Sequence, residues 1–200
     1  MPDAPRPPAL DTLRDDELVA LCLKAGRSHE VAFEALYRRY APRVLGFLLK
    51  VTGSRGAAED ALQETFLRVH RSLERFDPGR DLATWLLQIA RYVAIDAFRV
   101  EQKVKRLEEH TARGRPERDS GRPDAAAAQD ERRAAVEAVL SALSPEDRSL
   151  LLLRHYEGMT FRGIGEVADC SARTAQNRVE AAARRFQQAL LRRRAGGGAG

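Results

Sequence analysis

Two hundred residues suffice for one large or two small domains, and 34 basic against 29 acidic side chains leave a formal net charge of +5. That excess favours a polyanionic partner, although with so many carboxylates the basicity has to be local to matter. Cys22 and Cys170 lie far apart without ligand spacing, no apolar run approaches the roughly 20 residues of a membrane span, and MPDAPRPPAL is not a signal peptide. A disulfide framework, a zinc site and a membrane protein are thereby excluded, and a cytoplasmic protein is expected.

β-branched residues never alternate over a strand's length, so the fold class expected is all-α. Residues 1–14, rich in proline at their start, form a disordered N-terminus. A first helix runs from about Asp15 to Lys24, with acids at its start, Gly26 at its end and Leu18, Leu21 and Cys22 inward. Ser28 opens a longer helix whose Phe33, Leu36, Tyr37, Tyr40, Val44, Phe47, Leu48 and Val51 repeat at helical spacing as core. Pro42 is expected to kink or split it near Tyr40.

From about Gly56 to Leu73, Leu62, Phe66, Val69 and Leu73 share an apolar face, with Glu59, Asp60, Gln63 and Glu64 on the other side. Asp60 and Glu64 repel at i,i+4 spacing. The dipole at a helix start accounts for Glu59 and Asp60 but has faded at Glu64. A solvated acidic face and a surface for a basic partner both fit. The turn-rich loop Phe76 to Asp81 leads into a helix buried through Leu82, Trp85, Leu86, Ile89, Val93 and Phe98. Its later part is basic through Arg91, Arg99, Lys103, Lys105 and Arg106, which suits single-stranded nucleic acid. Residues 108–129 are charged, contain Gly and Pro, and lack large apolar side chains: a flexible linker.

Val136, Val139, Leu140 and Leu143 mark the next helix. Ser144-Pro145-Glu146-Asp147 then supplies an N-cap hydroxyl, a first-turn proline and two carboxylates, with Gly158 placed to end the helix that follows. Thr160 caps a short helix from Phe161 to about Ala168, and Ser171 caps one running past Arg185 on Ala175, Val179, Ala182 and Phe186. Two helices on so tight a turn form a helix-turn-helix. Away from the second helix's apolar stripe stand Arg173, Thr174, Gln176, Asn177 and Arg178, side chains that read base edges or bind phosphate. No nucleophile–base pair, metal cluster or phosphate-binding glycine loop can be assembled. His29, His70, His110 and His155 are scattered without ligand spacing, so neither enzyme chemistry nor cofactor nor metal is expected.

AEDALQETFLRVH (58–70) followed by ATWLLQIARYVAIDAFR (83–99) resembles region two of bacterial sigma factors, and LSPEDRSLLLLRHYEGMTFRGIGEVADCSARTAQNRVEAAARRF (143–186) resembles region four. Both in this order, joined by a short linker, resemble the extracytoplasmic-function (ECF) sigma factors of the sigma-70 family. The resemblance implies region two over 15–107, the linker over 108–129, region four over 130–191 and a disordered tail over 192–200. It implies docking of Asp60, Gln63, Glu64 and Phe66 on the β′ clamp helices of core RNA polymerase. Recognition and melting of the minus-ten element would fall to Phe76, Asp77, Arg80, Arg91, Tyr92, Asp96, Arg99 and Lys103. Ser171, Arg173, Thr174, Gln176, Asn177 and Arg178 would read the minus-thirty-five element, with region four also touching the β flap.

Other implied properties are an anti-sigma partner and a monomeric free state, with promoter DNA as ligand. Tyr92 stands where asparagine is common, Gly163 where an acid is usual, Asp169 in place of a turn glycine, and Gln176 and Asn177 where lysine and serine are common. Gly165 allows close helix approach. The rival readings are a helix-turn-helix regulator that is not a sigma subunit, for which Asp60 and Glu64 are dispensable, and an interaction protein that no longer reads DNA.

Overall fold

The computed structural model describes residues 10–24, 27–109 and 127–196. The proline-rich start, most of the expected linker and the last four glycine- and alanine-rich residues lie outside these. The described residues form eight α-helices and two single 3-10 turns, with no strand among them. Helices α1 (Asp15–Cys22), α2 (Arg27–Thr52), α3 (Arg55–Ser72) and α4 (Leu82–Glu109) make a first bundle. Helices α5 (Ala127–Ala142), α6 (Pro145–His155), α7 (Phe161–Val167) and α8 (Ala172–Gly196) make a second. Helix α8 thus continues beyond the expected domain boundary at residue 191.

Local chemistry explains the helix boundaries. The Arg14 amide donates to Glu17 at 2.9 Å as α1 begins, and Ser54 caps α3. Asp81 caps α4, accepting from the backbone N–H and hydroxyl of Thr84, both at 2.7 Å. Gly53 and Gly158 stop α2 and α6 at positive φ, +70° and +67°. Helix α2 runs unbroken through Pro42. The expected split is absent because Tyr40, Ala41 and Val44 are buried around the proline, while Pro42 and Arg38 are exposed and water can reach the carbonyl that loses its partner.

The first bundle is wrapped around α2, whose Leu36, Val44, Phe47, Leu48 and Val51 meet Leu18, Val19 and Cys22 of α1, Leu62 and Val69 of α3, and Leu86, Leu87 and Ala90 of α4. Val19 is buried where the sequence suggested Leu21, which is half-buried. Tyr40 donates to Asp15, which also pairs with Arg39 at 2.7 Å. Burial, reinforced by that bond to Asp15, raises the Tyr40 pKa.

The two bundles share a core rather than standing apart. Leu150, Leu152, Leu153, Ile164, Val167, Ala175 and Val179 continue the cluster that begins in the first bundle. Arg148, 5 % exposed, is the polar centre of this junction. It donates to the carbonyls of Leu140 (2.7 Å), Ser141 (2.7 Å) and Leu143 (3.2 Å) at the end of α5, and to Val51 O (2.5 Å) at the end of α2. A guanidinium is suited to this because it carries five donors in a fixed fork and tolerates partial burial. Arg43–Glu157 at 2.7 Å, Arg99–Glu146 at 3.3 Å and Lys50 over the Tyr156 ring lie around it.

Candidate functional site

Helices α7 and α8 are joined by a turn that sequence alone specifies closely. Thr160 accepts from Gly163 N at 3.2 Å and Ser171 from Thr174 N at 3.1 Å, so each helix begins on its own hydroxyl. Asp169 takes the left-handed conformation, φ +50°, that a short polar side chain tolerates. A Cβ on Gly165 would lie 2.6 Å from Cys170 O, so only glycine lets the turn fold back this tightly. Ala175, Val179 and Ala182 bury one stripe of α8, which turns Arg173, Gln176, Asn177 and Arg178 outward. Arg173, Asn177 and Arg178 make no hydrogen bond or ion pair among the described residues, whereas Gln176 donates to Glu180 at 3.0 Å. Ser171 is exposed and Thr174 half-buried, and their hydroxyls are bonded to each other at 2.8 Å. This is the build of a helix-turn-helix DNA-binding protein.

On the first bundle, α3 turns Glu59, Asp60 and Gln63 to solvent and leaves Glu64 half-buried. The acids are less exposed electrostatically than their spacing suggested: Arg55 pairs with Glu59 at 2.8 Å and Arg68 with Glu64 at 2.7 Å. Asp60 has no such partner among the described residues. Phe66 is a correction. It is 5 % exposed and packs edge-on to Tyr37, with ring centroids 4.7 Å apart, so it supports the acidic helix from beneath and offers no surface to a partner. The apolar stripe already pointed it inward. Exposed beside it are Leu67, which falls off the apolar stripe, and Tyr37, which the helical spacing had assigned to the core.

The loop and helix expected to meet the minus-ten element divide likewise. Asp77 is exposed and accepts from Gly79 N at 2.9 Å, closing the loop, and Arg80 is half-buried, 3.4 Å from Gln88 Oε1. Tyr92, Asp96, Arg99 and Lys103 are exposed along α4. Asp96 lies between Arg99 (3.9 Å) and Arg68 (3.7 Å). Two expected contacts are corrected. Phe76 is buried against Trp85, centroids 5.0 Å apart, anchoring the loop on the core. Arg91 is 6 % exposed and donates to Ser149 of α6 at 3.0 Å, so the second bundle covers it. Burial, with a smaller contribution from Arg178, lowers its pKa; Tyr92 and Glu146 oppose that.

Two segments of the chain, one in each bundle, match known protein families. Residues 36–104 match the Sigma-70 region 2 family and residues 133–186 the Sigma-70, region 4 family. RNA polymerase sigma factor CarQ of Myxococcus xanthus is 36 % identical over 163 residues, spanning 80 % of this chain and 89 % of that one. ECF RNA polymerase sigma factor SigK of Mycobacterium ulcerans (strain Agy99) is 31 % identical over 180 residues, 88 % and 95 % of the two chains. The chain belongs to the extracytoplasmic-function group of sigma-70 family RNA polymerase sigma factors.

Its fold is shared with two solved structures, each 20 % identical. One is RpoE in complex with the anti-sigma factor NepR from Bartonella quintana (TM-score 0.60, covering 80 % of this chain and 96 % of that one). The other is CnrH in complex with the cytosolic domain of CnrY (TM-score 0.62, 88 % and 96 %). Among the described residues no helix is long and apolar enough to cross a membrane, and no group of three or more His, Cys, Asp or Glu is placed to hold a metal ion.

Proposed function

We propose that this sigma factor docks core RNA polymerase through the exposed face of α3, with Asp60 and Gln63 at its centre and Glu59 and Glu64 at its flanks. The face is acidic, is exposed to solvent and leaves Asp60 without a partner among the described residues, which suits a basic helical surface such as the β′ clamp helices. Tyr92, Asp96, Arg99 and Lys103 of α4 meet the melted minus-ten strand, while Arg173, Gln176, Asn177 and Arg178 read the minus-thirty-five duplex. The observation that carries this reading is the outward row on α8, whose arginines and asparagine make no hydrogen bond or ion pair among the described residues.

The protein supplies binding rather than catalysis, and its two tethered sites gain from effective concentration. It acts in the cytoplasm and is monomeric when free. It has an anti-sigma protein as partner, a reading supported by the structural neighbour RpoE, solved in complex with the anti-sigma factor NepR. The functional halves are residues 15–107 and 130–191, with a linker over 108–129.

The test is transcription from a cognate promoter by core polymerase with the purified protein, alongside the Asp60→Arg/Glu64→Arg variant, with binding to core scored in parallel. Initiation by the parent and loss of core binding by the variant are expected. A variant that binds core like the parent overturns the docking assignment.

A further inference from the structure

We propose that His29 and His70 form a binding site for one divalent transition-metal ion, copper, nickel or zinc, where α2 meets α3. The two histidines are 41 residues apart, yet the fold sets their Nε2 atoms 2.9 Å from each other. The ring of His29 is fixed through its other nitrogen: Nδ1 is hydrogen-bonded to the carbonyl of Cys22 at the end of α1. A carbonyl only accepts, so Nδ1 carries the proton and Nε2 of neutral His29 presents a lone pair. A metal-binding imidazole is characteristically prepared in this way, its far N–H donated to a carbonyl that sets the tautomer and the ring plane. In the metal-free pair that lone pair accepts the Nε2 proton of His70.

A metal ion replaces that shared proton: His70 releases it to solvent, and both Nε2 lone pairs then face the ion. Two nitrogens at about 2.0–2.1 Å from a tetrahedral ion sit about 3.3 Å apart. The pair therefore has to part by a few tenths of an ångström, which the exposed His70 ring can supply. Phe33 buttresses both rings, stacked against His29 with centroids 6.4 Å apart and edge-on to His70 at 5.1 Å. The rings open on a pocket of about 310 Å³ that Glu30 and Glu34 also line; Glu34 is paired with Arg38, so Glu30 is the carboxylate left to attract a cation.

Among the described residues no third His, Cys, Asp or Glu completes the set. The described residues thus provide two imidazoles, which leaves the other positions to water. Imidazole donors with open positions rank Cu²⁺ above Ni²⁺, with zinc weaker than copper.

The experiment is titration of the untagged full-length protein with Cu²⁺, Ni²⁺ and Zn²⁺ salts by calorimetry, with ¹⁵N NMR of the histidine rings, on the parent and on His29→Gln, His70→Gln and His155→Gln. One ion per chain is expected, with Nε2 resonances of both His29 and His70 perturbed. Affinity should fall at least about tenfold in either of the first two variants, as removal of a ligand exceeds the effect of removing its support, and stay unchanged in His155→Gln. Circular dichroism confirms that the variants are folded. Absence of binding by the parent, or binding that survives both His29→Gln and His70→Gln, overturns the site and leaves a hydrogen bond that merely joins two helices.

Discussion

Replacing Gly165 with alanine sets a new Cβ 2.6 Å from Cys170 O and 3.3 Å from both Ala172 N and Ser171 C. All three are backbone atoms of the turn or of the first residue of α8, so none can rotate away. Helices α7 and α8 have to separate by roughly half an ångström, an overpacking that typically costs about 1–3 kcal/mol. The better helix propensity of alanine returns up to about 1 kcal/mol. A net loss of about 1 kcal/mol remains.

Gly163, two residues earlier in α7, is the internal control. Its added Cβ would meet Met159 Cε at 3.1 Å and Thr160 Oγ1 at 3.7 Å, and the first is the end of a flexible side chain. There the propensity gain prevails, and Gly163→Ala is expected to stabilise by up to about 1 kcal/mol. Two glycines two residues apart in one short helix should therefore respond with opposite signs. Thermal unfolding resolves this, since about 2–4 °C accompanies each kcal/mol in a chain of this size. Equal stabilisation by both substitutions would refute the argument that glycine sets the closeness of α7 and α8.

Arg148→Met strands four carbonyls and removes the bond between the ends of α5 and α2. A loss of about 3 kcal/mol is expected in urea unfolding, and a loss below that of the more exposed Arg185→Ala contradicts the role given to this guanidinium. Burial pushes the Cys22 thiol up to about 11. The folded chain thus keeps its proton while the unfolded chain ionises, so this contribution to stability is intact below about pH 9 and is lost as pH rises toward 11. Cys22→Ala should flatten the alkaline fall in the urea midpoint; an unchanged slope counts against it. Arg173→Ala and Arg178→Ala break no hydrogen bond or ion pair among the described residues, so both should fold as the parent does while weakening minus-thirty-five binding by the holoenzyme by about 1–3 kcal/mol each. Unchanged promoter affinity in both points away from α8 as the reader.

The caps at Ser144, Thr160 and Ser171, the left-handed Asp169 and the need for Gly165 were legible in the sequence because each is settled by atoms within a few residues. The outward row of α8 was legible for the same reason, since one turn of helical periodicity fixes which side chains face the core. What escaped was set by distance along the chain. Arg91 reads as a basic surface residue until Ser149, 58 positions away, is laid over it. Arg148 reads as a charged first-turn residue until Val51, 97 positions away, offers its carbonyl. Phe66 and Phe76 were a different failure. The apolar stripe of α3 placed Phe66 inward and Phe76 stood at the head of a turn-rich loop, and a resemblance to partner-binding segments drew both outward. Pro42 shows tertiary packing overriding a local breaker.

The bond from Arg91 to Ser149 bears on how this sigma factor competes for polymerase. Any complex in which Arg91 faces a ligand requires α4 to part from α6 first. If opening is unfavourable by about 2.7 kcal/mol, about one molecule in a hundred is open, and the apparent dissociation constant rises about a hundredfold over that of the opened chain. A ligand that holds the two bundles together and one that spreads them then act on the same equilibrium from opposite sides. Transcription from its promoters would rise with free polymerase along a curve whose midpoint is set by an internal hydrogen bond and the core around it, and substitutions at Ser149 would shift that midpoint without touching DNA or polymerase.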